Sequence, residues 1–322
     1  MVIAGKFRAR DDTVDTKAAP PPRLVYGAGV QELRDLVAAE LGVPVDPRVA
    51  EMAAALAARY PGAARAVLFY GSCLRQRELD GLMLDFYLIV SDYRAAYGKK
   101  WLAAANRLIP PNVFPFEHGG LIAKYAVLSE ADFERECSAR AYTPSVWARF
   151  AQPSRLAWAA DEAARERAVR SIAQAAPTLL GFALPTLREE RFDPLDLWRK
   201  AFALTYTTEL RAERAGRSGS IVDADAERYR RFAAAALPEG GMAVFPHSSE
   251  RQWRRFRRRG KAMTVLRLIK ASATFAGGAD YLVWKINRHA GTQIALKPWQ
   301  RRWPLVAAVT LLPRLLRRGA IR

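Results

Sequence analysis

Apolar residues along this chain repeat in two rhythms. Over residues 31–41 and 47–60 they fall at helical spacing, and Asp46 followed by Pro47 supplies an N-cap and a first-turn proline. Residues 65–90 change the rhythm and predict a strand, a tight turn at Gly71-Ser72, a short polar helix and a second strand over 82–90. Residues 93–108 predict a helix ended by Pro110-Pro111, residues 112–120 a loop or edge structure, and residues 121–129 a third strand. Beyond Ser129 the chain is Ala-rich and charge-studded. Helical periodicity marks 131–140, 156–175, 194–215 and 223–237, the third introduced by Asp193-Pro194. The expectation is an α+β protein with a flexible lead-in over 1–24, an α/β module with a mixed sheet over 25–130, a helical domain over 131–240 and a separate segment over 241–322.

Composition changes that picture mainly at the C-terminal end. A hydrophobic fraction of 51% over 322 residues is ample for a core, but the net charge of +19 is unevenly placed. From Arg251 onward there are 18 Lys and Arg against one acid, Asp280, so this quarter carries +17 and the first 250 residues only +2. Such a segment fits a polyanion, either nucleic acid or anionic lipid. Residues 251–261 hold seven basic residues with Trp253 and Phe256 between them, a pattern that suits a nucleic-acid patch as well as a membrane. Residues 299–318 differ. Trp299, Arg301, Arg302 and Trp303 stand before an apolar middle, and Arg314, Arg317 and Arg318 follow it. The middle is too short and too broken by Pro313 to span a bilayer, so it predicts a basic amphipathic tail lying on an anionic membrane surface, with nucleic acid not expected there. The two cysteines, Cys73 and Cys137, have no metal-ligand spacing and fit a reducing compartment. The N-terminus has no apolar stretch of the signal-peptide kind.

The candidate chemistry gathers in residues 65–90. The second strand is apolar except for Asp85, and an ionised carboxylate in a buried strand costs several kcal/mol unless something pairs with it. A bound cation or an arginine would serve. Gly71 lets backbone approach a ligand closely, and Ser72 adds a hydroxyl where phosphate is welcome. The third strand repeats the oddity with one charge, Lys124, inside LIAKYAVLS, placed either to reach water from the strand edge or to hold a phosphate. A second carboxylate for a metal is missing beside Asp85. Asp92 lies about 23 Å further along a strand, whereas Asp80 or an acid from the helical domain would reach. Glu209 is preferred there, one turn from Tyr206 and close to Arg211.

A strand, a Gly-Ser turn, a helix-length spacer and a carboxylate strand resemble the polymerase-β-type nucleotidyltransferase fold. More closely, Phe69-Tyr70-Gly71-Ser72, Leu84-Asp85-Phe86, Ile122-Ala123-Lys124-Tyr125-Ala126-Val127 and, more weakly, Tyr206-Thr207-Thr208-Glu209-Leu210-Arg211 resemble the mitochondrial-type CDP-diacylglycerol synthases, the translocator assembly and maintenance family of phosphatidate cytidylyltransferases. That family also has Leu-Asp-Phe without a second strand carboxylate. Its glutamine after the turn sits one residue earlier here, at Gln76; its later Trp-His and Asn pattern is echoed loosely by Tyr97, Trp101 and Asn106; and its Gly-rich loop before the lysine strand is replaced by residues 110–114. The resemblance implies transfer from CTP to phosphatidic acid with Mg²⁺ on Asp85 and Glu209. It further implies catalytic roles for Asp85, Lys124 and Glu209, nucleotide contacts from Tyr70, Gly71, Ser72, Gln76, Lys124 and Arg211, and a place on the inner face of the cell membrane. Another phosphate acceptor, or a silent nucleotidyltransferase-like protein that binds through its tail, stays open.

Overall fold

A computed structural model describes residues 28–75, 79–187, 192–208, 221–237, 250–274 and 297–298. Its centre is a five-stranded mixed sheet built from β1 (Ala64–Tyr70), β2 (Met83–Val90), β3 (Asn112–His118), β4 (Leu121–Ser129) and β5 (Ser154–Ala159), in the order β3-β4-β2-β1-β5. β2 and β4 run parallel, and the other neighbours are antiparallel. The α+β class and the mixed sheet agree with the sequence. The expected loop or edge at 112–120 is the edge strand β3.

One expected element is different. Residues 156–175 do not form one helix: they begin inside β5, which pairs with β1, and the helix starts only at Glu162. Asp161 makes that break, because its carboxylate accepts a hydrogen bond from Ala164 N and so caps a new helix. The chain after residue 130 therefore contributes a strand to the sheet as well as helices. The expected helix over 93–108 is also two pieces, Tyr93–Ala96 and Lys100–Leu108, separated where Tyr97 turns extended and buries its ring.

Alternating strand residues feed two cores. On one face Val67, Phe69, Phe86, Leu88 and Val127 pack with Met52 and Leu56 of the helix Pro47–Ala58, whose N-cap is Asp46 as expected. On the other face Leu68, Tyr87, Ile89, Ala126 and Leu128 lie in a single cluster with the helices Ala28–Leu41, Glu130–Cys137, Ala175–Ala183, Pro194–Tyr206 and Ala226–Ala236. An ion pair closes this second layer. Arg228, 3% exposed, donates through Nε and Nη2 to Glu40 and through Nη1 to Ala151 O at 3.1 Å, while Glu40 Oε1 also accepts from Ser154 N at 3.2 Å. The guanidinium lies 4.1 Å from the centre of the Phe232 ring. One charged pair thus ties the first helix, the Ala226–Ala236 helix and the start of β5 together.

The helix Glu250–Thr274 carries the basic run, and its aromatic residues are core. Trp253 and Phe256 are each 1% exposed, and Trp253 Nε1 donates to Phe182 O at 2.9 Å. They cannot act as the stacking platform that the interleaved pattern suggested for nucleic acid. Arg251, Arg254, Arg255, Arg258, Arg259 and Lys261 remain exposed. At Gly260 the helix touches backbone, since a Cβ there would lie 2.1 Å from Thr208 O. Further on, Arg267 Nε donates to Pro110 O at 2.7 Å, and Lys270 Nζ donates to Ile109 O and to Pro111 O, the latter at 2.8 Å. No helix among the described residues is long and apolar enough to cross a membrane.

Two stability outcomes follow from these contacts. Glu40→Ala leaves Arg228 buried without its carboxylate and lowers unfolding free energy by about 3–5 kcal/mol in urea titration. Burial, with Arg267 beside it, pushes the Lys270 ammonium down to about 7. The folded protein therefore binds fewer protons than the unfolded chain from there up to the ordinary lysine value of about 10.4. Stability of the wild type relative to Lys270→Met rises across that window, and it is flat below it, as read from paired melts at a series of pH values.

Candidate functional site

The site begins where β1 ends. Gly71 has φ +98°, which turns the chain sharply out of the sheet, and Ser72 opens one turn of 3₁₀ helix, Ser72–Arg75, with its side chain exposed. The glycine is needed for space as well as for its dihedral. A Cβ at residue 71 would sit 3.2 Å from Asp85 Oδ2, so the turn lies directly against the carboxylate. Cys73 Sγ, 3.6 Å from Met83 O, fastens the turn to the start of β2. Burial and then the nearby Asp85 charge push the Cys73 thiol up, away from thiolate.

Asp85 stands in the middle of a cross-strand row. It is opposite Tyr70 on β1 and Lys124 on β4, and Pro115 on β3 continues the row beyond Lys124. Lys124 Nζ is 2.8 Å from Asp85 Oδ1, with side-chain exposures of 34% and 21%. The pair explains how two charges are carried inside apolar strands: each is the other's partner. Tyr70 flanks the carboxylate, and the Arg149 guanidinium lies 5.5 Å from the centre of the Tyr70 ring. Arg149 Nη1 donates to Tyr87 Oη and to Ser145 O, both at 3.2 Å, and Tyr87 lies on the same sheet face as Asp85, two residues further along β2.

Tyr70, Gly71, Ser72, Asp85 and Lys124 are thus brought together at one end of one sheet face. Asp80, the alternative second carboxylate, forms an ion pair with Arg48 at 2.9 Å, and Asp92 caps the helix Tyr93–Ala96. Gln76, Glu209, Arg211, Trp299, Arg301, Arg302, Trp303, Arg314, Arg317 and Arg318 lie outside the described residues. Tyr97 and Asn106 are structural. Asn106 is fully buried, donates to Val127 O at 3.0 Å and accepts from Asn112 N and the Tyr97 hydroxyl. Sequence reasoning missed the Asp85–Lys124 contact and Arg149. The first had a signal, because two apolar strands with one opposite charge each are natural neighbours; Arg149, in a helix of four residues, had none.

The donor set accommodates magnesium in a limited way. Mg²⁺ takes one or two carboxylates together with substrate phosphate oxygens and water. Asp85 is a hard oxygen donor beside an open glycine turn, which fits that need. Among the described residues no three His, Cys, Asp or Glu side chains gather to hold an ion by themselves. Lys124 and Ser72 place a cation and an exposed hydroxyl close to the carboxylate.

The charge pair itself is testable. Lys124→Met strands a half-buried carboxylate and lowers stability by about 1–2 kcal/mol. Adding Asp85→Asn restores most of that loss, and the coupling from the double-mutant cycle exceeds about 0.5 kcal/mol in chemical denaturation.

In comparison with known proteins, the chain matches no family model and no curated protein.

Proposed function

We propose that the chain is a nucleotidyltransferase that moves a cytidylyl group from CTP to phosphatidic acid at a membrane surface, giving CDP-diacylglycerol and pyrophosphate. The observation that carries this reading is the Gly71 turn lying against Asp85, with Lys124 2.8 Å from the same carboxylate. A glycine turn that admits a phosphate, a carboxylate that can share a metal with it and a lysine for its charge are what transfer from a nucleoside triphosphate requires.

In this reading the backbone of Gly71 and the hydroxyl of Ser72 hold the β- and γ-phosphates, with Tyr70 and Gln76 at the nucleotide. An oxygen of the acceptor phosphate attacks the α-phosphorus. A new P–O bond forms there while the bond to the pyrophosphate oxygen breaks, and pyrophosphate leaves with that electron pair. The acceptor is already ionised, so no side chain has to remove a proton. Lys124 and Arg211 offset charge on the reacting phosphates. Asp85, with Glu209, would hold Mg²⁺, which supplies neutralisation of the negative charge on both reactants. The +17 of the C-terminal quarter supports an anionic surface as the place of action, and in this reading residues 299–318 lie on the inner leaflet.

A second reading is favoured by the same ion pair. Lys124 satisfies Asp85 without any metal, as it would in a silent nucleotidyltransferase-like protein that binds through its basic tail. Pyrophosphate release decides between them. With CTP, Mg²⁺ and vesicles containing phosphatidic acid, the wild type releases pyrophosphate, and Asp85→Asn lowers the rate by about 10²-fold or more. Absence of release with every lipid phosphate offered removes the enzyme reading and leaves the silent one.

A further inference from the structure

Tyr70 is the last residue of β1 before the chain leaves the sheet at Gly71. It is paired with Asp85 of β2 on one side and with Ser154 of β5 on the other. A residue at a strand end has no further rung beyond it, and such ends open before the rest of a sheet. Here packing on the ring opposes that opening. The rings of Tyr87 and Phe150 lie 5.3 Å and 6.0 Å from the half-buried Tyr70 ring, and the Arg149 guanidinium lies 5.5 Å from its centre. Arg149 is itself tied down at Nη1, which donates to Tyr87 Oη and to Ser145 O, both at 3.2 Å. A planar guanidinium fixed by two acceptors keeps its place over a ring, and the attraction between them grows where water is excluded.

We infer that Arg149 is a positioning residue for the Gly71-Ser72 turn: it clamps the Tyr70 ring to the sheet and so keeps the turn against Asp85. Two close approaches make the turn sensitive to that clamp. A Cβ at residue 71 would lie 3.2 Å from Asp85 Oδ2, and Cys73 Sγ lies 3.6 Å from Met83 O. A displaced Tyr70 carries the turn off the carboxylate and takes the sulfur away from its carbonyl. The inference rests on the transferase reading for what the turn holds, and it adds which side chain fixes the turn in place. Arg149 belongs to the helix Trp147–Phe150, so the helical layer sets the geometry of a turn that the sheet alone would leave at a loose end.

Alkylation of the full chain with N-ethylmaleimide, read at each cysteine by peptide mass spectrometry, tests this without requiring turnover. Cys73 is 7% exposed within the turn, and Cys137, 0% exposed in the helical core, reports global opening of the same molecule. Arg149→Met keeps an unbranched side chain without the guanidinium. It speeds alkylation of Cys73 about tenfold and leaves Cys137 at the wild-type rate. Tyr87→Phe removes one acceptor of Arg149 and keeps the ring, so Cys73 reacts about threefold faster. The double variant reacts no faster than Arg149→Met, because both changes break one clamp. Arg65→Gln removes the ion pairs with Glu130 and Asp161 at the far end of β1 and leaves Cys73 unchanged. A Cys73 rate unmoved by Arg149→Met overturns the inference, as does an equal rise at Cys137 or an equal rise with Arg65→Gln. Effects of the two clamp variants that multiply in the double variant overturn it as well. Pyrophosphate release is read separately, and Arg149→Met lowers kcat/KM for CTP about tenfold or more. Selective exposure of Cys73 without release from the wild type keeps the clamp and removes the transferase. Release that Arg149→Met leaves unchanged keeps the transferase and overturns the positioning role.

Discussion

Asp85 and Lys124 hold opposite charges at directly opposed positions of two parallel strands, and much of the sheet is fixed by that pairing. A charge inside an apolar strand is tolerated only where its partner is fixed. Slipping β4 by one residue against β2 would turn Lys124 to the other face, beneath the helix Pro47–Ala58, and would set Ala123 or Tyr125 beside the carboxylate. The electrostatic requirement and the apolar alternation therefore specify the same register. The same register brings Tyr70 to the other flank of Asp85 and lays the Gly71 turn on its Oδ2. Structure and candidate chemistry depend on one row of the sheet.

Much of this was legible because local signals were strong. Asp46-Pro47 and Asp193-Pro194 start helices through a carboxylate that accepts a backbone N–H and a proline that needs none, and both caps form. The strands around Asp85 and Lys124 announced themselves as apolar runs, each broken by one charge. What could not be read was which strands become neighbours. The chain supplied a lysine to satisfy Asp85, but single-strand patterns do not say that β4 lies beside β2 in parallel. From the sequence alone Asp80 and Glu209 stand out as companions for Asp85, and in the fold Asp80 pairs with Arg48.

β5 and the basic helix were misread for different physical reasons. Residues 154–159 are a short edge strand next to a capped helix, and in an Ala- and Arg-rich stretch six residues of alternation are easily absorbed into the helical period that follows. In the basic helix the residues were right and their environment was not. Trp253 and Phe256 among seven cations look like a surface for a polyanion when the helix is taken alone. In the fold they meet Trp147 and Phe182, and the indole N–H finds the carbonyl of Phe182. Periodicity could have shown this, since the aromatic residues are three apart on one side while the arginines surround the other.

That helix also shows how the charge of the C-terminal quarter is made compatible with a packed core. Its inward stripe runs through Trp253, Phe256, Gly260 and Met263, and then through Arg267 and Lys270. Along its length the stripe changes character with what it faces. It is aromatic against the helical core, has no side chain where it meets the Thr208 carbonyl, and is cationic where the carbonyls of Ile109, Pro110 and Pro111 face it. The aromatic step pairs the Trp253 indole N–H with Phe182 O, and the basic step pairs Arg267 and Lys270 with the carbonyls of Ile109, Pro110 and Pro111. The outward arginines are left at the surface by geometry alone. Once the aromatic residues are committed to the core, this helix presents charge and alkyl stems at its surface and no exposed ring.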